Sequence, residues 1–594
     1  MEKTEEKKLH AILGELSVER IRRDVERIAK DIPSRLAGSE NGKRMAEYSL
    51  DRLREAGVRS RMDEFPGLVS FPEPGSIEIL GTRGAKDSIA GHTLGHSPST
   101  SEDGLEAQVI YIGSGSLADY QGQDARGKIT LSELSYHPAR QEKLRISAEQ
   151  GAVGCIMMNW GPPDNPAIPF GSVKAAWGTP TPAAFAGEMP ALPCVGVSRA
   201  DGLRLRDLIQ QGALRARMHA KADNAWRPVQ NTIGEIGGGE RDLVVAGGHQ
   251  DSWFGPQATD NASGSACLLE LARVFNRHSD ALARDLLFGF WTGHETGTMI
   301  GSTRFVDRNW HRLRHHAVAY LQIDQPSCAG TTQWSTASNI QLRRFHQEIE
   351  EKALDGRVHS WRASAKVGDA SFVGLGVPMF VGQGAFTPQE LQASALATYG
   401  WWHHSVENTL DKIDWEFMST HIRIYAEYLY RLCTRPLLPF EFVGLAQGLR
   451  ERLETLDDLK SGLDLDFPLA QARMLAKQAE RLDAATAGWR ARCDRGANDV
   501  DAVRGLNHCM RMLNQLLLPL QNTIKGRFGH DPYGFAPLST SIPLLYDVSA
   551  LKELRCDDER YWMLETELVR ASNHVGEVLE TARLLVEKTL RGVA

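Results

Sequence analysis

The chain has 594 residues, 42% hydrophobic and 24% charged, more than one hydrophobic core usually organises, so two or three domains are expected. A formal charge of -7 and the lack of any long basic run argue against nucleic acid as the main partner. No window reaches the roughly 18 apolar residues of a membrane span. The opening MEKTEEKKLHAILGEL is charged where a secretory signal needs an apolar centre, so no membrane partner and a cytoplasmic location are expected.

From Leu9 to Gly57 apolar residues recur at helical spacing, which predicts two helices separated by IPSRLAGSENG, with Ser39 capping the second. Residues 65–225 change to short apolar runs such as AQVIYIGSG, GKITLSEL and AVGCIMMNW between Gly, Pro and Asp clusters, which predicts a separate strand-rich domain. Part of the proline-rich stretch that follows AVGCIMMNW reads as irregular surface loop. Regular alternation starts at DLVVAGGHQ, continues through the helical SGSACLLELARVF, and adds the strands LLFGFWT, AVAYLQID and VPMFVGQG. That is an α/β pattern with a mostly parallel sheet, whose ligands gather at the carboxyl ends of the strands. After Arg435 the pattern is helical apart from an irregular patch around GHDPYGFAPLSTSIP, and stripes such as VGEVLETARLLVEKTL suit helix packing or a subunit interface. The eight cysteines lack a CxxC pair and read as small buried hydrophobes kept reduced.

Five potential metal ligands fall at or just beyond the predicted strand ends: His249 in GGHQDSW, Asp260 in TDNASG, Glu295 in GHETG, Asp324 in LQIDQ and His404 in WWHHSVENTLDKID. Two imidazoles and three carboxylates suit two Zn2+ ions with one carboxylate shared. His294 stands directly before Glu295. The pair could be two ligands, a ligand beside a proton-transfer group, or a buried polar pair.

These stretches, with TDNASGSACLLELARVF and GDASFVGLGVP, resemble the co-catalytic zinc aminopeptidase family, and within it the branch of glutamate carboxypeptidase II and the transferrin receptor. The resemblance implies a zinc-peptidase domain from residues 1–64 and 226–435, an inserted protease-associated domain at 65–225, and a helical dimerisation domain at 436–594. Carried over by position, His249, Asp260 and Asp324 would hold one zinc. Asp260, Glu295 and His404 would hold the other, with Asp260 as the bridge. Asp251 matches a family aspartate that orients the first histidine rather than binding metal.

The chain departs from the family where active peptidases have two consecutive glutamates, the first a general base and the second a ligand. Here they are His294 and Glu295, and one extra residue separates Glu295 from Gly301-Ser302. Histidine can take over proton transfer, bind metal, or mark a weakened site. The resulting expectation is a homodimeric zinc hydrolase acting on a peptide or small amide, with His294 and Asp251 serving the chemistry. The alternative is a binding or scaffold protein like the transferrin receptor. A nucleotide-binding α/β protein is disfavoured, because no GxGxxG follows the first strand.

Overall fold

The computed structural model describes residues 2–80, 87–496 and 499–593. Three helices open the chain, Glu2–Glu15, Val18–Asp31 and Glu40–Glu55, where apolar spacing alone predicts two. The break falls at Ser17, whose hydroxyl accepts the Arg20 N–H and starts a new helix without interrupting the apolar stripe. Ser39 caps the last of the three, accepting from the Gly42 N–H, as its sequence position implies.

Fifteen strands are present among the described residues. Eight form one sheet: β1 (Arg59–Pro72), β9 (Ala222–Ile236), β10 (Leu243–His249), β11 (Asp285–Trp291), β12 (Ala317–Gln322), β13 (Gln333–Ser338), β14 (His359–Ala363) and β15 (Met379–Ala385), in the order β1-β9-β11-β10-β12-β15-β13-β14. Four of the seven pairings are parallel, including all those among the central strands β11, β10, β12 and β15, while β1, β9 and β13 pair antiparallel with their inner neighbours. The antiparallel edge has a topological cause: β1 and β9 pair along their whole length as the outgoing and returning arms of a long excursion.

That excursion folds into a closed barrel of seven strands: β2 (Pro74–Leu80), β3 (Asp87–Thr93), β4 (Leu105–Tyr111), β5 (Ile129–Glu133), β6 (Gly154–Met158), β7 (Cys194–Val197) and β8 (Leu214–His219). Its interior is filled by Ile77, Val109, Leu131, Ile156, Val195 and Met218.

Strand β10 is buried along its whole length, as a central parallel strand covered on both faces should be. Gly248 lets it approach the chain leaving β12, since a Cβ there would sit 2.2 Å from the Ile323 carbonyl oxygen. His249 and Asp324 are brought together by that approach. One face of the sheet joins a core shared by the N-terminal helices, helix Trp415–Thr434 and the C-terminal helices, whose Leu506, Leu513 and Leu517 belong to the same cluster as Val244, Phe288 and Tyr428. Trp291, Tyr320 and Phe372 pack on the other face.

Candidate metal centre

β11, β10 and β12 are adjacent and parallel, so their carboxyl ends open on one place. His249 is the last residue of β10, Glu295 follows β11, and Asp324 follows β12. Asp260 lies immediately before helix Ser263–Arg277, and His404 sits in a loop at φ 54°. All five predicted ligands therefore meet, although Asp324 and His404 come from segments far from His249 in sequence.

They meet as two sets. His249 Nε2 is 3.0 Å from Asp260 Oδ1 and 3.4 Å from Asp324 Oδ1. His404 Nε2 is 3.1 Å from Asp260 Oδ2 and 2.9 Å from Glu295 Oε1. Asp260 thus offers one oxygen to each side. His249 Nδ1 is 3.0 Å from the Asp251 carbonyl oxygen and donates to it, which leaves the Nε2 lone pair facing two carboxylates.

That arrangement tests whether a metal fits. His249 Nε2, Asp260 Oδ2, Glu295 Oε1 and Asp324 Oδ1 are all buried and none has a hydrogen-bond partner. Orphaned buried acceptors are costly, and four converging ones call for a cation. The charge excess acts in the same direction: although burial favours the neutral ring, Asp324, Asp251 and Asp260 raise the His249 pKa well above its usual value. Burial likewise disfavours the Asp260 carboxylate, yet His249 and His404 hold its pKa well below the ordinary range. The donor set of imidazole nitrogens and carboxylate oxygens suits zinc-like dications.

Asp251 supports the site from behind. Its two carboxylate oxygens accept the backbone N–H groups of His294 and Glu295, each at 3.1 Å, while the His249 ring is met by its main-chain carbonyl. Trp253 Nε1 donates to Glu295 Oε2 at 2.7 Å, fixing the carboxylate so that Oε1 faces His404.

His294 stacks on His249 with ring centroids 4.0 Å apart and planes 14° from parallel. Its Nδ1 lies 2.9 Å from Asp369 Oδ2, and Asp369 Oδ1 accepts the Ser302 hydroxyl at 2.7 Å. Burial and the neighbouring His249 oppose protonation of His294, but Asp369 outweighs them and lifts its pKa to about 9. Asp369 was hidden from local reading. It lies within the GDASF stretch, but nothing near it in sequence signals a histidine partner 75 residues away. His403, also unmarked by the sequence, stacks on His404 at 3.8 Å and contacts Gln325 Oε1 at 3.0 Å.

A cavity of about 290 Å³ opens in front of these groups, lined by Asp260, His294, Glu295, Asp324 and His404 and walled by Arg140, Trp160, Arg362, Tyr399 and Tyr533. The barrel contributes Arg140 and Trp160, and the C-terminal region contributes Tyr533.

Residues 231–429 match the model of peptidase family M28. The chain is 25% identical over 363 residues to a probable glutamate carboxypeptidase of Arthroderma benhamiae, covering 47% of this chain and 50% of that one. To the probable glutamate carboxypeptidase VP8 of Zea mays it is 23% identical over 511 residues, 72% of this chain and 68% of the other. It therefore spans between half and about two thirds of the length of these curated relatives. Among solved structures, the peptidase M28 precursor from Shewanella amazonensis superposes with a TM-score of 0.56 at 20% identity, over 73% of this chain and 97% of that one. BSAP, a zinc aminopeptidase from Bacillus subtilis, does so with a TM-score of 0.53 at 20% identity, over 70% and 95%. At that identity the structures speak for the fold. The peptidase family M28 match covers the three strands whose ends carry the site, β10, β11 and β12, and all five converging donors.

Proposed function

We propose that the protein is a zinc-dependent hydrolase of peptide or related amide bonds, acting as an exopeptidase or amidase. The observation that carries this reading is the pair of orphaned donor sets sharing Asp260. His249, Asp260 and Asp324 would hold one zinc, and Asp260, Glu295 and His404 the other. Zinc bound there supplies Lewis-acid polarisation of the scissile carbonyl.

The chain's own residues divide the remaining tasks. Asp251 orients the loop that presents His294 and Glu295, and Trp253 orients the Glu295 carboxylate. His294 takes the position of the usual glutamate base. Its Nδ1 is committed to Asp369; dications held beside the ring would oppose its protonation and bring its pKa down from about 9, and Nε2 is then the atom left to accept a proton from the attacking water and return it to the leaving amine. The stacked rings put donor atoms of His249, His294 and Asp324 within 4.8 Å of one another, so metal ligation is the competing role for His294.

The barrel takes the part of a protease-associated insert, and the helices after Arg435 take the part of a dimerisation region. Trp562 and Met563, 56% and 62% exposed on the last helix, support an interface there. The test is a panel of peptides, acylated amino acids and other amides offered to the zinc-loaded full chain. Turnover of any of them supports the hydrolase. Two bound zincs with no hydrolysis across the panel would overturn it and favour the scaffold reading.

A further inference from the structure

Between Glu295 and helix Ile300–Arg308 the chain passes through Thr296, Gly297, Thr298 and Met299, the segment that carries the extra residue. Thr298 and Met299 adopt φ values of 54° and 63°, a region that side-chain-bearing residues enter at a cost, so the loop is held from outside. Three successive carbonyls show how. The Thr296 oxygen accepts the Ser70 N–H at 2.9 Å and His96 Nε2 at 2.8 Å. The Gly297 oxygen accepts Lys174 Nζ at 2.7 Å, and the Thr298 oxygen accepts the Gly178 N–H at 2.6 Å. His96, Lys174 and Gly178 all belong to the stretch between β3 and β7, within the barrel excursion.

Lys174 is the unusual member. Its side chain is fully buried, its ammonium donates to the carbonyls of Gly297 and Gly178, and no carboxylate pairs with it among the described residues. Burial alone pushes its pKa down to about 7. An unpaired buried lysine is expensive, and a side chain with a single donor hydrogen would satisfy only one of the two carbonyls. We infer that Lys174 is a positioning residue: by tying the Gly297 carbonyl to the barrel, it fixes the loop that aims His294 into the cleft. The inference rests on the hydrolase reading for its kinetic consequence, but not for its structural one.

The test uses the full zinc-loaded chain carrying Lys174→Met, an unbranched substitution of similar length. Amide hydrogen exchange across residues 296–300 should accelerate by roughly tenfold or more, the scale of one lost hydrogen bond. On an amide that the wild type hydrolyses, kcat should fall by roughly tenfold with KM nearly unchanged, the usual range for losing an orienting partner. In a His294→Ala background the same substitution should add little, because the group it positions is already gone. Unchanged exchange in the loop would overturn the inference. So would a full tenfold loss persisting in the His294→Ala background, which would mean that Lys174 acts elsewhere. If Lys174→Met does not fold, Lys174→Gln, which keeps a shorter donor, is read by the same exchange measurement. If the chain hydrolyses nothing, the hydrolase reading fails while the exchange result still decides whether the clamp exists.

Discussion

His294 and Asp369 form a buried pair, Nδ1 to Oδ2 at 2.9 Å, in which the carboxylate is also held by Ser302. The imidazole that we propose stands in for the family's glutamate base is thus held by an aspartate. His294→Ala should retain both zincs and lose roughly 10²-fold or more in turnover, the scale of a lost acid/base group. Metal analysis beside steady-state kinetics checks this; zinc loss in the variant would make His294 a ligand instead.

Asp369→Asn should keep the fold and the metal but slow turnover by about 10- to 100-fold, since an amide can offer its NH₂ to His294 Nδ1 and select the wrong tautomer. If Asp369→Asn has wild-type kcat while His294→Ala does not, the pair is structural and His294 works without it.

Asp260→Ala should be the most damaging ligand change. Asp260 offers Oδ1 towards His249 and Oδ2 towards His404, so its loss strips a donor from both positions. Asp324→Ala and Glu295→Ala each touch one. Zinc stoichiometry after dialysis should fall at both positions in the first variant and at one in the others; two tightly held zincs in Asp260→Ala would remove the bridge.

Acid should weaken the fold through His421. Its Nδ1 donates to the Phe417 carbonyl at 2.9 Å, and Nε2 accepts the N–H groups of Ser327 and Gly384 at 3.1 and 3.0 Å, so the neutral ring is the one the fold needs. Burial lowers its pKa to about 4. The unfolded chain, with an ordinary value near 6.5, binds the proton first. Stability is therefore fully present above about pH 6.5 and is lost as pH falls towards 4, by up to about 3 kcal/mol. Urea unfolding at pH 7.5 and pH 5 in the presence of a chelator should show a smaller acid loss in His421→Gln than in the wild type. An equal loss would place the sensitivity elsewhere.

The region after Arg435 should be inseparable from the rest. Leu506, Leu513 and Leu517 share the core of the sheet, each burying about 1.5–3 kcal/mol of side chain. Lys366, beside the cleft, forms a fully buried ion pair with Asp531 at 2.6 Å. Deleting residues 436–594 should give insoluble protein, whereas the full chain should scatter light as a dimer at micromolar concentration. A soluble, active truncation or a monomeric full chain would each contradict the corresponding half of this expectation.

The residue types of the site were legible in the sequence by itself. Zinc chemistry demands imidazole and carboxylate, and strand-end positions are local features, so His249, Asp260, Glu295, Asp324 and His404 stood out before any coordinates. The strand excursion, the α/β alternation and the helical C-terminal part were legible for the same reason, because each is written in a short period of apolar residues. Local period does not encode strand direction at the sheet's edges, where β9 and β13 run against their inner neighbours. Nor does it encode pairings across the chain. His294 meets Asp369 from 75 residues away, and Lys174 meets Gly297 from 123 residues away. A hydrogen bond of that span exists only when two separately folded segments are packed together, so the candidate ligands could be read from sequence while their supporting partners were decided by the tertiary structure.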